Sequence, residues 1–516
     1  MGWEEVGADY DELKDLSGGL NANDEDVADN QSMGCKNVYW KNKALRKMYG
    51  CQDFISDPVV NGSAVTGIYQ YRTRAGGDYI IATCGSYIKR KSGDSWVNVT
   101  GTATVADGVK VQFATFNDKL MGTDGTNAPW VIDGSGSAAD LGGTPPKGKY
   151  IAVYRGVLVL GNCTVGADAY PQRVYRSGLW SHTSWDTDND YWNFETTSGS
   201  PITGLVPQQS RLCGMKEDAL GFVTGASAET YSLYPEAYPG IGCLSGYAIG
   251  AGTFYLGGEQ VVGALFPGLD GLYIMPEDSA PFPVSPTIAP HYRQLDHSYM
   301  TEAVGAYYSS QKQYLSFMPS GLGAAGTNDA GYLFDAEGGG TWPLSDIKAT
   351  CCAVIRDSTD KHEYFLIGLS NGKILKFDPP ISGVSYGSWE IDGASIANYW
   401  ISNWFDMGDS TQVKLLRELL FYIGAVGDNS LTVKLELRNA QRTKTYTGTI
   451  TPGDSTGEYD FAYGSSYARA GLQIIEGGGH RPFRWIRIRI DQSGDWGWAL
   501  QRIGLRRMNL GQRRVA

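Results

Sequence analysis

The chain has 516 residues, 42% hydrophobic and 19% charged, with 68 glycines and 12% aromatics. That length suits two or three domains with large buried cores and excludes one small domain. The formal net charge is −12, no apolar run approaches the ~18–20 residues that span a bilayer, and the acidic start offers no basic n-region for a signal peptide.

Residues 1–55 are expected to form an N-terminal arm with a strand pair that packs on a later domain. "YDELKDL" from Tyr10 favours a short helix, and "SGGLNANDEDVADNQSMG" an extended segment. "CKNVYWKNKALRKMYGCQDF" favours a strand, a turn and a strand. Residues 1–34 hold ten acids and one base, Lys14.

Residues 56–385 carry a loose repeat: an apolar strand, a polar turn, a second apolar strand and often an aromatic near the end. Copies begin at Tyr79, Phe113, Tyr150, Arg211, Ala264, Ala303 and Cys351. A spacing of roughly 45 residues suits four-stranded propeller blades. The spacing predicts a β-propeller of about seven irregular blades, and six to eight fit it. No blade carries a Trp-Asp dipeptide or a Kelch signature.

The last copy contains "FLIGLSNGKILKFD", in which Gly368-Leu369-Ser370-Asn371-Gly372 matches the G-x-S-x-G of serine hydrolases. That elbow needs a strand turning into a helix. Here "KILKFD" continues as a strand, and Asn-Gly between apolar runs is a hairpin signal. His362 precedes the motif, whereas the hydrolase order places histidine after it. Ser370 is therefore expected to sit on a turn, with no catalytic residue assigned.

Pro379-Pro380 break the pattern. Residues 386–516 contain longer strands, among them "NYWISNWFDMG", "LRELLFYIGAVG", "SLTVKLELRNA" and "FRWIRIRID". They predict a second all-β domain, an antiparallel β-sandwich-like platform. In "RWIRIRID", Ile486, Ile488 and Ile490 point one way and Trp485, Arg487 and Arg489 the other. Residues 481–516 hold nine arginines and two aspartates. The basic end and the acidic start are either solvated or meet complementary surfaces, in the same chain or in a neighbour. The candidate contacts are Arg481, Arg484, Arg487, Arg489, Arg502, Arg506 and Arg507, with Asp24, Glu25 and Asp26 at the other end.

No metal or cofactor site is expected. "DTDNDYWNFE" from Asp186 opens like a calcium loop, but Tyr191 stands where glycine is needed and Thr197 where a bidentate glutamate is needed. No histidine pair has zinc spacing, and no phosphate-binding loop is present. The eight cysteines show no C-x-x-C and are expected to be buried and reduced, as in a reducing cytoplasm. An acidic chain without a nucleic-acid motif points away from sequence readout.

The order of features resembles the start of a group of tailed-bacteriophage tail proteins. The matches are Gly18, Gly19, Leu20 and Asn21; Asp29, Asn30 and Gln31; Asn37 and Val38; and Ala44 to Lys47 with Gly50. Tyr49 stands where the family often has proline. "YRGVLVLGN", "PQRVYRSGLWSHTSW" and "GYLFDAEGGGTWPL" are similar to blades of the same group. The tail "HRPFRWIRIRI...ALQRIGLRRM" is similar to the end of nozzle, or tail-hub, proteins of short-tailed phages, also called packaged-DNA stabilisation proteins.

The resemblance implies a structural virion protein with no enzymatic activity. It implies a hexameric ring below the portal and adaptor, which retains packaged DNA, gives it an exit channel and docks fibres, spikes or tip proteins. DNA would pass through the lumen without sequence-specific binding, and no membrane insertion is implied. The chain would be synthesised in the bacterial host cytoplasm and reside in the virion tail. Two rivals are a tail-tip propeller that binds a receptor or glycan, and a hydrolase. Trp180, Trp185 and Trp192 either stack on sugars or pack blades together.

Overall fold

The computed structural model describes residues 4–7, 10–23, 27–227, 229–377, 389–408, 410–425, 430–439, 442–450, 468–472, 482–494 and 496–510. Among them, seven four-stranded antiparallel sheets follow one another along the chain. Blades 1 to 6 cover residues 65–98, 112–140, 147–193, 202–239, 250–283 and 304–345, each from four consecutive strands. The chain is an all-β protein, a β-propeller joined to a β-sandwich.

Blade 7 closes the ring. Its first three strands are Cys351–Arg356, Glu363–Gly368 and Ile374–Phe377, and its outermost strand is Cys51–Asp53. The register pairs Leu375 with Asp53 and Phe377 with Cys51. Residues 51–53, placed with the arm by sequence, thus complete the last blade. A ring closed by strands from both ends of the propeller leaves no gap between its first and last blades.

The turn at Asn371-Gly372 shows how local chemistry shapes a blade. Glu363–Gly368 runs antiparallel to Ile374–Phe377, a strand–turn–strand. Gly372 has φ +88°, and a Cβ there would stand 2.0 Å from the Val60 carbonyl oxygen. Only glycine fits that conformation and that approach. Adjacent blades share apolar layers. Between blades 2 and 3, Phe116, Met121, Ile151, Leu158 and Leu160 are buried together.

The platform is built from both chain ends. One sheet has the order Ser32–Lys36, Asn398–Ser402, Trp485–Gln492, Leu431–Asn439, Arg442–Ile450. Its register places Val433 opposite Ile490, Leu435 opposite Ile488 and Leu437 opposite Ile486. All six side chains are buried. The alternate residues meet on the other face, Lys434 with Arg489 and Glu436 with Arg487. The period-2 alternation of both strands thus separates an apolar layer from a charged one.

The second sheet is led by two thirteen-residue strands, Val413–Ala425 and Trp498–Leu510. Tyr10–Leu13 pairs with Trp498–Leu510, and Glu4–Gly7 pairs outside it. The helix expected at "YDELKDL" is therefore a strand over its first half. Leu13 and Leu16 are 0% and 1% exposed, and docking on the C-terminal strand outweighs the local helix preference. The hairpin Val38–Lys41 and Ala44–Lys47 turns through Asn42 and Lys43, both at positive φ, the conformation of a two-residue hairpin turn.

Candidate functional surfaces: arm, basic strands and propeller axis

The arm holds the two domains together. The Leu20 amide donates to the Thr341 carbonyl of blade 6 at 2.8 Å, and the Ser32 amide to the Gly19 carbonyl at 2.8 Å. Gly19 has φ +71°, and a Cβ there would lie 2.4 Å from the Thr341 nitrogen. Asn21 Nδ2 donates to Gln31 Oε1 at 2.7 Å, and Gln31 Oε1 also accepts from the Ala28 amide at 2.9 Å. The Gly-Gly-Leu-Asn and Asp-Asn-Gln stretches are thus two sides of one loop clamped on blade 6.

Asn37 joins three parts of the molecule. It is fully buried with φ +53°. Its Nδ2 donates to Ser345 Oγ at 3.1 Å, to Asp346 Oδ2 at 3.1 Å and to the Ala397 carbonyl at 2.9 Å. Its Oδ1 accepts from the Ser345 amide at 2.8 Å. One arm side chain therefore ties blade 6 to the platform.

Lys47, also fully buried, donates to the Gly494 and Trp496 carbonyls at 2.5 and 3.2 Å. Tyr49 stacks on Trp389 with centroids 4.8 Å apart, and Arg46 Nη1 donates to its hydroxyl at 2.8 Å. Tyr49 thus adds an aromatic contact between the arm and Trp389.

Of the ten candidate contact residues, Arg481, Asp24, Glu25 and Asp26 lie outside the described residues. Four arginines have partners within the chain. Arg507 meets Asp11 at 2.7 Å with both side chains under 10% exposed, and its Nη1 donates to the Met407 carbonyl at 2.8 Å. Arg502 reaches Glu12 at 3.4 Å and lies 3.9 Å from the Tyr422 ring centroid. Arg487 pairs with Glu436 and lies 4.6 Å from the Trp404 ring. Arg489 pairs with Asp491 at 2.6 Å and lies 4.9 Å from the Tyr399 ring.

Those four guanidiniums are paired with carboxylates of their own chain. The acidic start and basic end meet in one chain, because the N-terminal strand docks beside the C-terminal one. Arg484 is half-buried and Arg506 exposed. Burial pushes Asp491 up, but hydrogen bonds from Arg489 and Lys434 outweigh it and hold its carboxyl below the usual carboxylate range.

The first strands of all seven blades line an axial cavity of about 850 Å³, with Tyr69, Gln112, Tyr247 and Tyr307 on its wall. Gln112 crosses it, donating to the Gly246 carbonyl at 3.0 Å and accepting from the Ile151 amide at 3.3 Å. Lys110, just before blade 2, lines this cavity and forms an ion pair with Glu302, which precedes blade 6. Lys149 lies over the Tyr150 and Tyr247 rings at 5.7 and 6.0 Å. Burial lowers its pKa, Glu302 opposes this and Lys110 adds to it. The axis is a laced hub with room for a slender ligand.

Sequence reasoning missed Lys110, Glu302 and Asn37 as contacts. Nothing in the local pattern of "GVKVQF" or "YMTEAV" announces a partner nearly two hundred residues away.

Ser370 is exposed on its turn and lines a second cavity of about 380 Å³ beside Lys110, Glu302, Lys348 and Thr350, with no histidine in the lining. In the acidic loop, Asp186 accepts from the Asp188 and Asn189 amides at 3.1 Å each, which makes it a turn residue. Among the described residues no group of three or more His, Cys, Asp or Glu is placed to hold a metal. The eight cysteines are free thiols, seven buried and Cys352 partly so. Trp192 is buried against Tyr231, and Trp185 Nε1 donates to the His182 carbonyl at 2.8 Å. Trp180 is 64% exposed at φ +55°, with Leu179 equally exposed beside it. Among the described residues no helix is long and apolar enough to cross a membrane.

No family model matches the sequence, and no curated protein matches it. Solved structures similar to it include YCF48 bound to a D1 peptide, at 10% identity and TM-score 0.37 over 67% of this chain and 98% of that one. The Pan2 WD40 domain of Neurospora crassa is similar at 7% identity and TM-score 0.38 over 67% and 98%. PorZ, a surface component of the type-IX secretion system of Porphyromonas gingivalis, is similar at 10% identity and TM-score 0.34 over 77% and 46%. The likeness is one of fold.

Proposed function

We propose that the protein is a structural component of a short-tailed phage tail, the ring-shaped nozzle or hub below the portal and adaptor. The observation that carries the proposal is the position of the arm residues. Leu20 and Asn37 bond the arm to blade 6, Asn37 and Lys47 bond it to the platform, and Gly19, Asn21 and Gln31 shape the arm's own loop. The resemblance falls on residues that share an architectural task in this fold, which supports the reading.

In this reading the propeller axis is not the DNA path, because the Gln112 hydrogen bonds span it. DNA runs through a lumen between copies. A propeller region with net charge −10 over residues 51–377 suits a wall that DNA slides past, since phosphate contacts would add salt-dependent affinity. The ring offers fibres or spikes a platform, and no catalytic step is assigned. Mass photometry of the purified full-length chain tests the oligomer. A species of six copies is expected, and a monomer at every concentration contradicts the proposal.

A second reading, a receptor- or glycan-binding propeller at the tail tip, draws on Trp180. A bulky residue at positive φ is an uncommon strain. It is held by its amide on the Gly156 carbonyl at 2.7 Å and by Asn117 Nδ2 on its own carbonyl at 2.6 Å. Loss of host-cell adsorption in Trp180→Ala phage, with assembly intact, would favour it.

A further inference from the structure

Free sheet edges differ sharply across the molecule. An exposed edge presents unpaired N–H and C=O groups that invite another strand, and proteins blunt such edges by shortness, proline or cover. The outermost strands of the blades follow that rule. Ser95–Asn98, Ala139–Asp140, Tyr191–Asn193, Phe282–Pro283 and Cys51–Asp53 have two to four residues. Thr341–Ser345 contains Pro343 and is covered by the arm. Ser232–Pro239 is eight residues long but interrupted by Pro235 and ended by Pro239.

Arg442–Ile450 breaks the rule. It has nine residues, "RTKTYTGTI", with no proline and four threonines in strict alternation. It pairs with Leu431–Asn439 on one side, and no described strand pairs with the other. Six residues from Arg442 to Thr449 are exposed. High β-propensity, length and exposure together describe an edge that, among the described strands, is unpaired and suited to a partner strand.

Charge selects the partner. Arg442 and Lys444 lie on this edge, and Arg438 and Lys434 on the strand beside it. The other sheet of the platform ends on Glu4–Gly7, "EEVG", paired only with Tyr10–Leu13 among the described strands. One platform edge is basic and the other acidic. Two different patches that pair head to tail close a ring when repeated around a rotation axis.

We propose that the Arg442–Ile450 edge pairs with the Glu4–Gly7 edge of a second copy, joining neighbouring platforms by strand addition. The inference rests on the ring reading above and names its contact. It returns part of the basic-end and acidic-start pairing to a neighbour, at residues other than the arginines already held within the chain.

The test is assembly of full-length variants by mass photometry, with thermal unfolding as the control for folding. Arg442→Glu with Lys444→Glu should raise the concentration for half-assembly about tenfold or more and leave the melting temperature unchanged. Adding Glu4→Lys with Glu5→Lys should restore assembly. A mixture of separate Thr445→Cys and Val6→Cys proteins should cross-link between the two variants on oxidation. Unchanged assembly of the Arg442→Glu/Lys444→Glu protein, or no restoration, overturns the edge pairing while the ring reading stands. A wild-type chain that stays monomeric overturns both.

Discussion

The propeller and the platform are built by opposite rules. Six blades take four consecutive strands each, so nearly every strand pairs with its neighbour in sequence. The platform pairs Leu13 with Ile503 and Lys36 with Tyr399. Local hairpins form with little loop-closure cost, and pairings across hundreds of residues form late. The propeller is therefore the self-sufficient half. The platform exists only once both chain ends have arrived, and the arm that supplies one end also binds blade 6.

Removing residues 1–50 should break the comparison most severely. The platform loses three edge or crossover strands and the hairpin at Val38–Lys47, while every blade keeps its strands. Limited proteolysis should cut within residues 389–510 and leave a resistant propeller fragment. A platform that resists as before would show it to be independent of the arm.

Charge pairs sharpen the contrast within the platform. Asp11→Asn leaves Arg507 buried without its counter-charge and should cost about 3–5 kcal/mol in urea unfolding. Glu436→Gln, at a partly exposed pair with Arg487, should cost under about 1 kcal/mol. Asn37→Ala strands donors and acceptors at the joint between blade 6 and the platform. It should cost about 2–4 kcal/mol and uncouple the unfolding of the two domains in calorimetry.

Acid should act on the platform through Asp491. Its folded-state pKa is depressed, so its contribution is full above the unfolded value and is lost as pH falls through the folded one. The platform's urea midpoint should hold from neutral pH to about pH 4 and drop below it. Asp491→Asn should remove part of that drop. The smallest expected effect is that of Ser370→Ala on its exposed turn, with infectivity and esterase readings both unchanged. A loss of either would revive the hydrolase reading.

The sequence made the blades legible because period-2 alternation and turn chemistry are local. "FLIGLSNGKILKFD" spells its own hairpin, and "RWIRIRID" its own two faces. It did not reveal that Cys51–Asp53 crosses to Ile374–Phe377, since three residues carry too little pattern to name a partner. "YDELKDL" misled because its place between Glu4–Gly7 and Trp498–Leu510 is set by a strand far away. The unequal charge of the two ends was visible, but choosing between one chain and two needed Asp11 and Arg507 in place. Trp180 was visible as an aromatic, while its exposure depends on the fold of its loop.

Cryo-electron microscopy of the intact tail tests the central claim most directly. The account predicts six copies around the tail axis below the adaptor, with DNA density in the lumen between copies and none along the propeller axes. Copies at the tail periphery, or a chain missing from the axis, would contradict it.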